Sequence, residues 1–344
     1  MKAFLSIVLV TLAFSGLSTL SLPPRETPGP DASTSVAEVL EQLGDTLPHK
    51  PDFSIPGVSA EAGLMLVTLG VVRGQKPARS SDQSNHFVCT ACHNIQREDP
   101  DLRVSDPQAR LLYVKEKGIP FLQGTTLYGA VNRTSFYNGD YEKKYGELVD
   151  SARHDIRMAI QLCATECSQG ERLEPWELES VLAYLWTIGL KIYDLDLDLE
   201  ERNLLDRALT EGRSREEAID MIKGHYLQAS PATFVDPPEN RREGYSAGEG
   251  NARNGKLIYD LSCKHCHENE RYSFFDLNDS KYSFRFLEKH FPRYTRYSTY
   301  QVVRYGTVPV NWKRSYMPNY TLEKMSRQQL EDLRVYIEEQ ARAF

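Results

Sequence analysis

The residues best suited to chemistry in this chain fall in two short segments that share one pattern. Residues 89–93 and 263–267 both read C-x-x-C-H, and their first cysteines lie 263 − 89 = 174 positions apart. This pattern is the signature of covalent c-type haem attachment, in which two thiols add to vinyl groups and the adjacent histidine ligates the iron. The sequence therefore predicts two covalently bound haem c groups. The predicted haem-binding residues are Cys89, Cys92, His93, Cys263, Cys266 and His267.

A structural zinc site is the alternative use of the same cysteines, because four thiolates from two C-x-x-C pairs can bind one Zn²⁺. The two pairs of such a site usually lie about 15–20 residues apart, and no histidine is required after each pair. Here the pairs are much further apart, and a histidine follows each of them. Haem attachment is therefore the favoured interpretation.

The size, charge and cysteine content of the chain limit its class. Its 344 residues are enough for two domains, and its net charge of −7 disfavours nucleic acid and anionic membranes as partners. A basic redox partner protein suits this charge better. Four of the six cysteines belong to the two motifs, so only Cys163 and Cys167 remain, which is not a disulfide framework.

The N-terminal segment predicts export. Residues 1–21 combine a basic start at Lys2 with an apolar run and small residues, as in a secretory signal peptide. Residues 22–58 form a proline-rich extended linker followed by a short amphipathic helix at 35–47. We therefore expect a periplasmic or otherwise exported protein, with no stable membrane span after the signal is cleaved.

Helical periodicity dominates the remainder of the chain and predicts a mainly α fold. One haem domain is expected at 59–192 and a second at 249–344, each around its own C-x-x-C-H motif. The intervening segment, 193–248, is rich in charge, proline and glycine towards its end and is predicted to be an interdomain linker. Helices are predicted from Ser59, over 149–167, from Pro175, from Ser214 and from Ser326 to the C-terminal region.

Met317 is the predicted sixth ligand of the second iron. It lies 317 − 267 = 50 residues after the predicted proximal histidine, in a loop before the last helix. A thioether ligand stabilises Fe(II), raises the reduction potential and leaves no open position for a substrate, which suits an electron carrier. Met325 is the less favoured alternative because it falls near the start of the last helix.

Residues 249–344 resemble a class I cytochrome c. The resemblance rests on Gly255 before the motif, on the Met-Pro pair at Met317 and on a final helix that carries Tyr336. It implies that the first helix of this domain packs against the last through Gly255 and Tyr336. The first motif and its closing helix with Tyr184 are similar, so we expect two tandem cytochrome c-like helical domains joined by a partly helical linker.

The segment ahead of the first closing helix resembles thiosulfate dehydrogenases and related sulfur-oxidation cytochromes. Residues 160–170 contain the Ile-x-x-Cys…Gly pattern of those families, in which a cysteine thiolate ligates the catalytic haem. The resemblance implies that Cys163 is the sixth ligand of the first iron, and that it is catalytic if the protein is an enzyme. A thiolate ligand lowers the potential of the first haem relative to a His/Met second haem.

Other arrangements of the first site remain open from the sequence. Cys167 is an alternative ligand, and a Cys163–Cys167 disulfide is another alternative, because residues four apart on a helix are neighbours and an exported compartment is oxidising. Met158 is the only methionine between His93 and the closing helix, and His154 is a further candidate.

Three functions fit these predicted sites. The favoured one is an exported dihaem c-type cytochrome that carries single electrons between redox partner proteins. The alternative is a thiosulfate dehydrogenase-like oxidoreductase, with thiosulfate or another small sulfur compound converted at haem one and electrons relayed through haem two. A dihaem peroxidase ranks last, because it needs an open distal position with acid–base groups nearby.

Overall fold

The fold is mainly α, as the sequence predicts. The computed structural model describes residues 30–74, 79–246, 248–308 and 316–343. Of these described residues, 49% are helical and none lies in a strand. The predicted signal peptide and the first part of the proline-rich linker lie outside the described residues. None of the described helices combines the length and the apolar character that crossing a membrane requires.

The α-helices give the chain most of its regular structure. In chain order they are α1 (Val36–Gln42), α2 (Ala60–Leu69), α3 (Pro107–Lys117), α4 (Tyr141–Tyr145), α5 (Leu148–Ala152), α6 (Ile156–Leu162), α7 (Pro175–Thr187), α8 (Leu199–Thr210), α9 (Arg215–Gly224), α10 (Ala252–Ile258), α11 (Lys264–His267), α12 (Lys281–His290), α13 (Thr299–Tyr305) and α14 (Arg327–Ala343). Two π-helical turns, Cys163–Cys167 and Tyr259–Cys263, extend α6 and α10.

Around the second motif, α10 crosses the last helix α14 at close range. A Cβ added at Gly255 would collide with the carbonyl oxygen of Asp332 and lie 2.7 Å from the Cβ of Tyr336. Only glycine allows this approach, so the contact between Gly255 and Tyr336 that the cytochrome resemblance implies is confirmed. Ser326 and Gln329 cap α14 reciprocally, as the sequence predicts. We call this helix pair, its motif and the loop at 316–326 before α14 the second unit.

The first motif is framed by a matching helix pair, α2 and α7, which we call the first unit. Ser59 caps α2 by accepting a hydrogen bond from the Ala62 amide, and proline opens α7 at its first position. A Cβ at Gly63 would collide with the carbonyl oxygen of Ser180 and lie 2.8 Å from the Cβ of Tyr184. The glycine–tyrosine crossing of the second unit is therefore repeated here.

The insertion after the first motif contributes a helix to the second unit. Asp106 caps α3, with proline at its first position, although no helix was predicted in this segment. Leu111 and Val114 of α3 and the following Phe121 are buried in the same core as Tyr259 of the second unit. The predicted helices therefore lacked α3, and this insertion places residues of the segment after the first motif in the core of the second unit.

The predicted linker is folded over its first half. Helices α8 and α9 pack against α1 in a separate core, which includes Val39, Leu205 and Ile222. Asp198 caps α8 by accepting hydrogen bonds from the backbone amides of Glu200 and Glu201. These three acidic residues therefore form the start of a helix. This small helical cluster lies beside the first unit, since Ser35 pairs with Lys191 just after α7.

Candidate functional site

The first motif presents its histidine in the form that ligates a metal. Nδ1 of His93 lies 2.7 Å from the carbonyl oxygen of Thr125, and a carbonyl only accepts, so Nδ1 carries the proton and Nε2 has a free lone pair. Burial lowers the pKa of His93, which favours this neutral ring. A Cβ at Gly124 would lie 2.6 Å from the imidazole, so glycine is needed for the ring to fit.

The histidine of the second motif is held in the same way. Nδ1 of His267 donates to the carbonyl oxygen of Phe275 across 2.8 Å, which again leaves Nε2 as the ligating atom. Burial lowers the pKa of His267 as well. The two motifs therefore share the histidine support that haem and other metal ligands commonly receive from a backbone carbonyl.

The four motif cysteines are free thiols in apolar surroundings. Burial raises the pKa of Cys89 and of Cys266 to about 11 and that of Cys263 to about 12, and it raises the pKa of Cys92 as well. Uncharged, unpaired thiols in C-x-x-C spacing beside a neutral imidazole are the donor set for covalent haem attachment.

A cavity of about 250 Å³ opens beside the first motif. Cys89, Cys92 and His93 line it, together with apolar side chains of α2 and α7 such as Leu66 and Val181. Thiols and a ligating nitrogen on an otherwise mostly apolar wall suit a flat, apolar macrocycle with a central metal. The residues present at the first motif therefore fit a haem c group.

Both surplus cysteines line the same cavity. Cys163 and Cys167 occupy the π-helical turn after α6, and neither is in a disulfide. The sulfur of Cys167 lies 3.3 Å from the hydroxyl of Tyr145 and 3.6 Å from that of Tyr137. The chain thus brings the two thiols that the sequence singled out to the first motif.

The two thiols differ in their ionisation. The pKa of Cys167 is lowered to about 6, chiefly by a hydrogen bond from Cys163 and also by the hydroxyls of Tyr145 and Tyr137, which together outweigh the effect of burial. The same contact with Cys167, together with burial, raises the pKa of Cys163 well above its usual value. A metal binds the thiolate form, so ionisation alone favours Cys167, although the hydroxyls of Tyr145 and Tyr137 already contact its sulfur.

The other two candidates for the first site lie elsewhere. Met158 packs beside Val149 and Ala152 in a small separate cluster and is not among the described residues that line the cavity. His154 is exposed, and its Nδ1 lies 3.3 Å from the carbonyl oxygen of Thr134. The helix predicted over 149–167 is interrupted between them, because Asp155 starts α6 anew as its N-cap.

Met317 belongs to the second unit. Its backbone pairs with Thr307, whose hydroxyl accepts from the Met317 amide and whose amide donates to the Met317 carbonyl, each across 2.8 Å. The residue packs against the core that also holds Cys263 and Phe275 at its edge. Met325 is instead fully buried inside that core, at 1% exposure.

The two motifs lie against each other. The thiol of Cys266 lies 3.8 Å from the carbonyl oxygen of Ala91, which is inside the first motif. The amide of Phe121 donates to the carbonyl oxygen of Leu261, just before the second motif, across 2.9 Å. Segments 174 positions apart in the sequence are thus direct neighbours, which sequence reasoning did not foresee.

A buried ionic network, also unforeseen, supports the first histidine. Glu98 is fully buried and accepts from Lys324 across 2.9 Å and from the amide of Thr126 across 3.1 Å, next to the residue whose carbonyl holds His93. Burial raises the pKa of Glu98, but the charges of Arg110 and Lys324 outweigh it and lower that pKa to about 2. Lys324 belongs to the second unit, so the network ties the two units together.

Among the described residues, no three His, Cys, Asp or Glu side chains converge as a metal-binding group. No protein-family model, curated protein or solved structure matches this chain.

Proposed function

We propose that this protein is an exported dihaem c-type cytochrome that carries single electrons between redox partner proteins. The observation that carries the proposal is the direct contact of the two C-x-x-C-H motifs, with the Cys266 thiol 3.8 Å from the Ala91 carbonyl oxygen. Two redox groups attached at neighbouring motifs are close enough to exchange electrons, whereas two unrelated sites need not adjoin. A haem c group supplies this chemistry by taking up and releasing one electron at its iron.

The chain's own residues have distinct roles in this proposal. The motif thiols bind the two groups, and His93 and His267 are the proximal ligands, oriented by the carbonyls of Thr125 and Phe275. Cys163 completes the first site and Met317 completes the second. Because a thiolate lowers a haem potential and a thioether raises it, these ligands favour electron flow towards the second unit.

Haem content tests the proposal. The full chain, produced in a host that attaches haem c, is expected to carry two covalent haems per polypeptide and to be reduced and reoxidised reversibly. The Cys92→Ala/His93→Ala variant and the Cys266→Ala/His267→Ala variant should each retain one haem, whereas Cys167→Ala, outside both motifs, should retain two. A folded chain that carries zinc and no haem under these conditions would contradict the proposal.

A second candidate function is favoured by the cysteine pair in the first cavity. Thiosulfate dehydrogenase-like chemistry would join two thiosulfate ions through a new sulfur–sulfur bond and release two electrons, one for each iron. Cys163 would be the catalytic residue. Thiosulfate-dependent reduction of the loaded protein, lost in Cys163→Ser, would support this function. Absence of reduction in a protein that a chemical reductant reduces normally would leave electron carriage alone.

A further inference from the structure

The loop before α14 forms a wall that the two sites share. Five of its described residues line the first cavity, namely Tyr316, Pro318, Asn319, Thr321 and Lys324. Three others pack in the core of the second unit, namely Met317, Tyr320 and Met325. One loop therefore lines the first cavity and also carries Met317, the predicted ligand of the second iron.

Asn319 has a buried donor without a partner. Its side chain is 5% exposed, and its Oδ1 accepts from Nζ of Lys144 across 2.8 Å. Because an ammonium group only donates, this contact fixes the orientation of the amide. The Nδ2 group is then buried and has no hydrogen-bond partner in the structure. A buried donor left unpaired is costly, and such a group is a candidate contact for a bound ion or ligand.

Thr321 repeats this feature two residues later. It is 2% exposed, and its Oγ1 is buried without a hydrogen-bond partner. Both residues line the first cavity. The loop thus places two buried polar groups without a hydrogen-bond partner among the residues that line the cavity.

The charge of the cavity indicates the kind of acceptor. Three basic side chains line it, from Arg133, Lys144 and Lys324, whereas no Asp or Glu is among the described residues that do so. Lys324 is neutralised by Glu98, but Arg133 donates to a backbone carbonyl, that of Thr126, and Lys144 to the Asn319 amide oxygen. Arg133 and Lys144 outnumber the one thiolate among the residues that line the cavity, that of Cys167, so the lining favours an anion.

We propose that Asn319 and Thr321 of the second unit, with Lys144 bonded to Asn319 and Arg133 lining the same cavity, form an oxyanion-binding subsite in the first cavity. The shared chemistry is a carboxylate or sulfur oxyanion that accepts hydrogen bonds and carries negative charge. Its source is either the carboxylates of the haem itself or a small free oxyanion. The inference rests on the proposed function only for the first of these sources.

The subsite also couples the two sites. An anion held by Asn319 and Thr321 fixes the loop on either side of Tyr320, whose hydroxyl contacts that of Ser262 beside the second motif. Met317 lies at the start of the same loop. Occupation of the first cavity is therefore expected to alter the environment of Met317.

Two variants of the full, haem-loaded chain test the subsite. Asn319→Asp keeps an oxygen for Lys144 but places a carboxylate where the anion binds, and Thr321→Val removes the hydroxyl without changing the side-chain shape. Thr210→Val, at an exposed position on α8, is the matched control. The readouts are sulfate and thiosulfate binding by calorimetry and the midpoint potential of the first haem.

The outcomes separate the two sources. If the anion is free, the wild type binds sulfate or thiosulfate and each variant weakens binding by about tenfold, which is the loss expected for one hydrogen bond to a charged group. If the anion is the haem carboxylate, neither oxyanion binds, but both variants shift the first midpoint potential and Thr210→Val does not. Unchanged binding and potential in both folded variants would overturn the subsite.

Failure of the proposed function is a separate result. A chain that carries no haem refutes the dihaem proposal, and calorimetry on that haem-free chain with sulfate and thiosulfate still tests the free-anion source. In that chain, absence of oxyanion binding would overturn the subsite.

Discussion

The first and second units share one arrangement of an early helix, a closing helix and a motif, which we call the frame. They differ in the residues that complete each site. In both, a glycine lets an early helix cross the closing helix beside a tyrosine, and a backbone carbonyl holds the motif histidine through Nδ1. The first site then adds two cysteines and part of a loop from the second unit, whereas the second places Met317 in its own core. The frame therefore positions the motif, and the residues added to it determine the chemistry that each site can support.

The largest expected effect comes from breaking the link between the units at Glu98. In Glu98→Gln, Arg110 and Lys324 remain buried without their counter-charge, so we expect the free energy of unfolding to fall by about 3–5 kcal/mol. Urea denaturation at neutral pH measures this loss. Glu142→Gln, at an exposed ion pair, is the control and should change stability by less than about 0.5 kcal/mol. A similar small change in Glu98→Gln would mean that the units are not joined there.

The same carboxylate predicts a pH dependence. Its pKa in the folded chain is about 2, below the ordinary value of 4.5, so its stabilising contribution is fully present above about pH 4.5 and is lost as the pH falls towards 2. The stability difference between wild type and Glu98→Gln should therefore shrink across this range. A difference that stays constant down to pH 2 would contradict the assignment.

The next largest effect tests whether the two frames are equivalent. Alanine at Gly63 or at Gly255 would force a methyl group onto a backbone carbonyl of the closing helix, and each substitution should lower the free energy of unfolding by about 1–3 kcal/mol. Gly224→Ala on α9, where no atom lies within 4 Å of the added methyl, is the control and should be neutral or stabilising. If only one of the two glycines is sensitive, the units do not share a frame.

The helix starts of the frame were largely predictable from the sequence, whereas the elements that connect the two units, such as α3, were not. Ser59, Pro175 and Ser326 mark helix starts through local capping chemistry, and that chemistry acts over a few residues. The role of α3 depends on which of two cores buries Leu111, and helical periodicity carries no such information. Asp106 followed by proline was the one local signal for that helix.

The residues of the candidate site were also predictable only in part. Residue type and spacing identified the motif residues and the two surplus cysteines. Glu98, Asn319 and Thr321 were missed, because isolated polar residues give no pattern in the sequence. Glu98 and Asn319 also bind lysines, Lys324 and Lys144, that lie more than 100 positions away. The repeat of Gly63 with Tyr184 was a signal that could have been found, by searching the first unit for the Gly255–Tyr336 pair.

A smaller effect on stability, but a clear spectroscopic one, is expected at Met317. Met317→Leu conserves the side-chain volume and should cost less than about 1.5 kcal/mol. It removes the thioether, so the second haem should lose the Met-to-iron absorption band and its midpoint potential should fall. Met325→Leu, inside the same core, is the matched control. A variant at Met317 with an unchanged spectrum would exclude this residue as ligand.

Low-temperature EPR of the fully oxidised, haem-loaded protein tests the central comparison most directly. We expect two distinct low-spin ferric signals, one typical of His/thiolate ligation and one of His/Met ligation. The thiolate signal should disappear in Cys163→Ser and persist in Cys167→Ser. Two signals of the His/Met type, both unaffected by Cys163→Ser, would contradict this expectation, because the two units would then complete their sites in the same way.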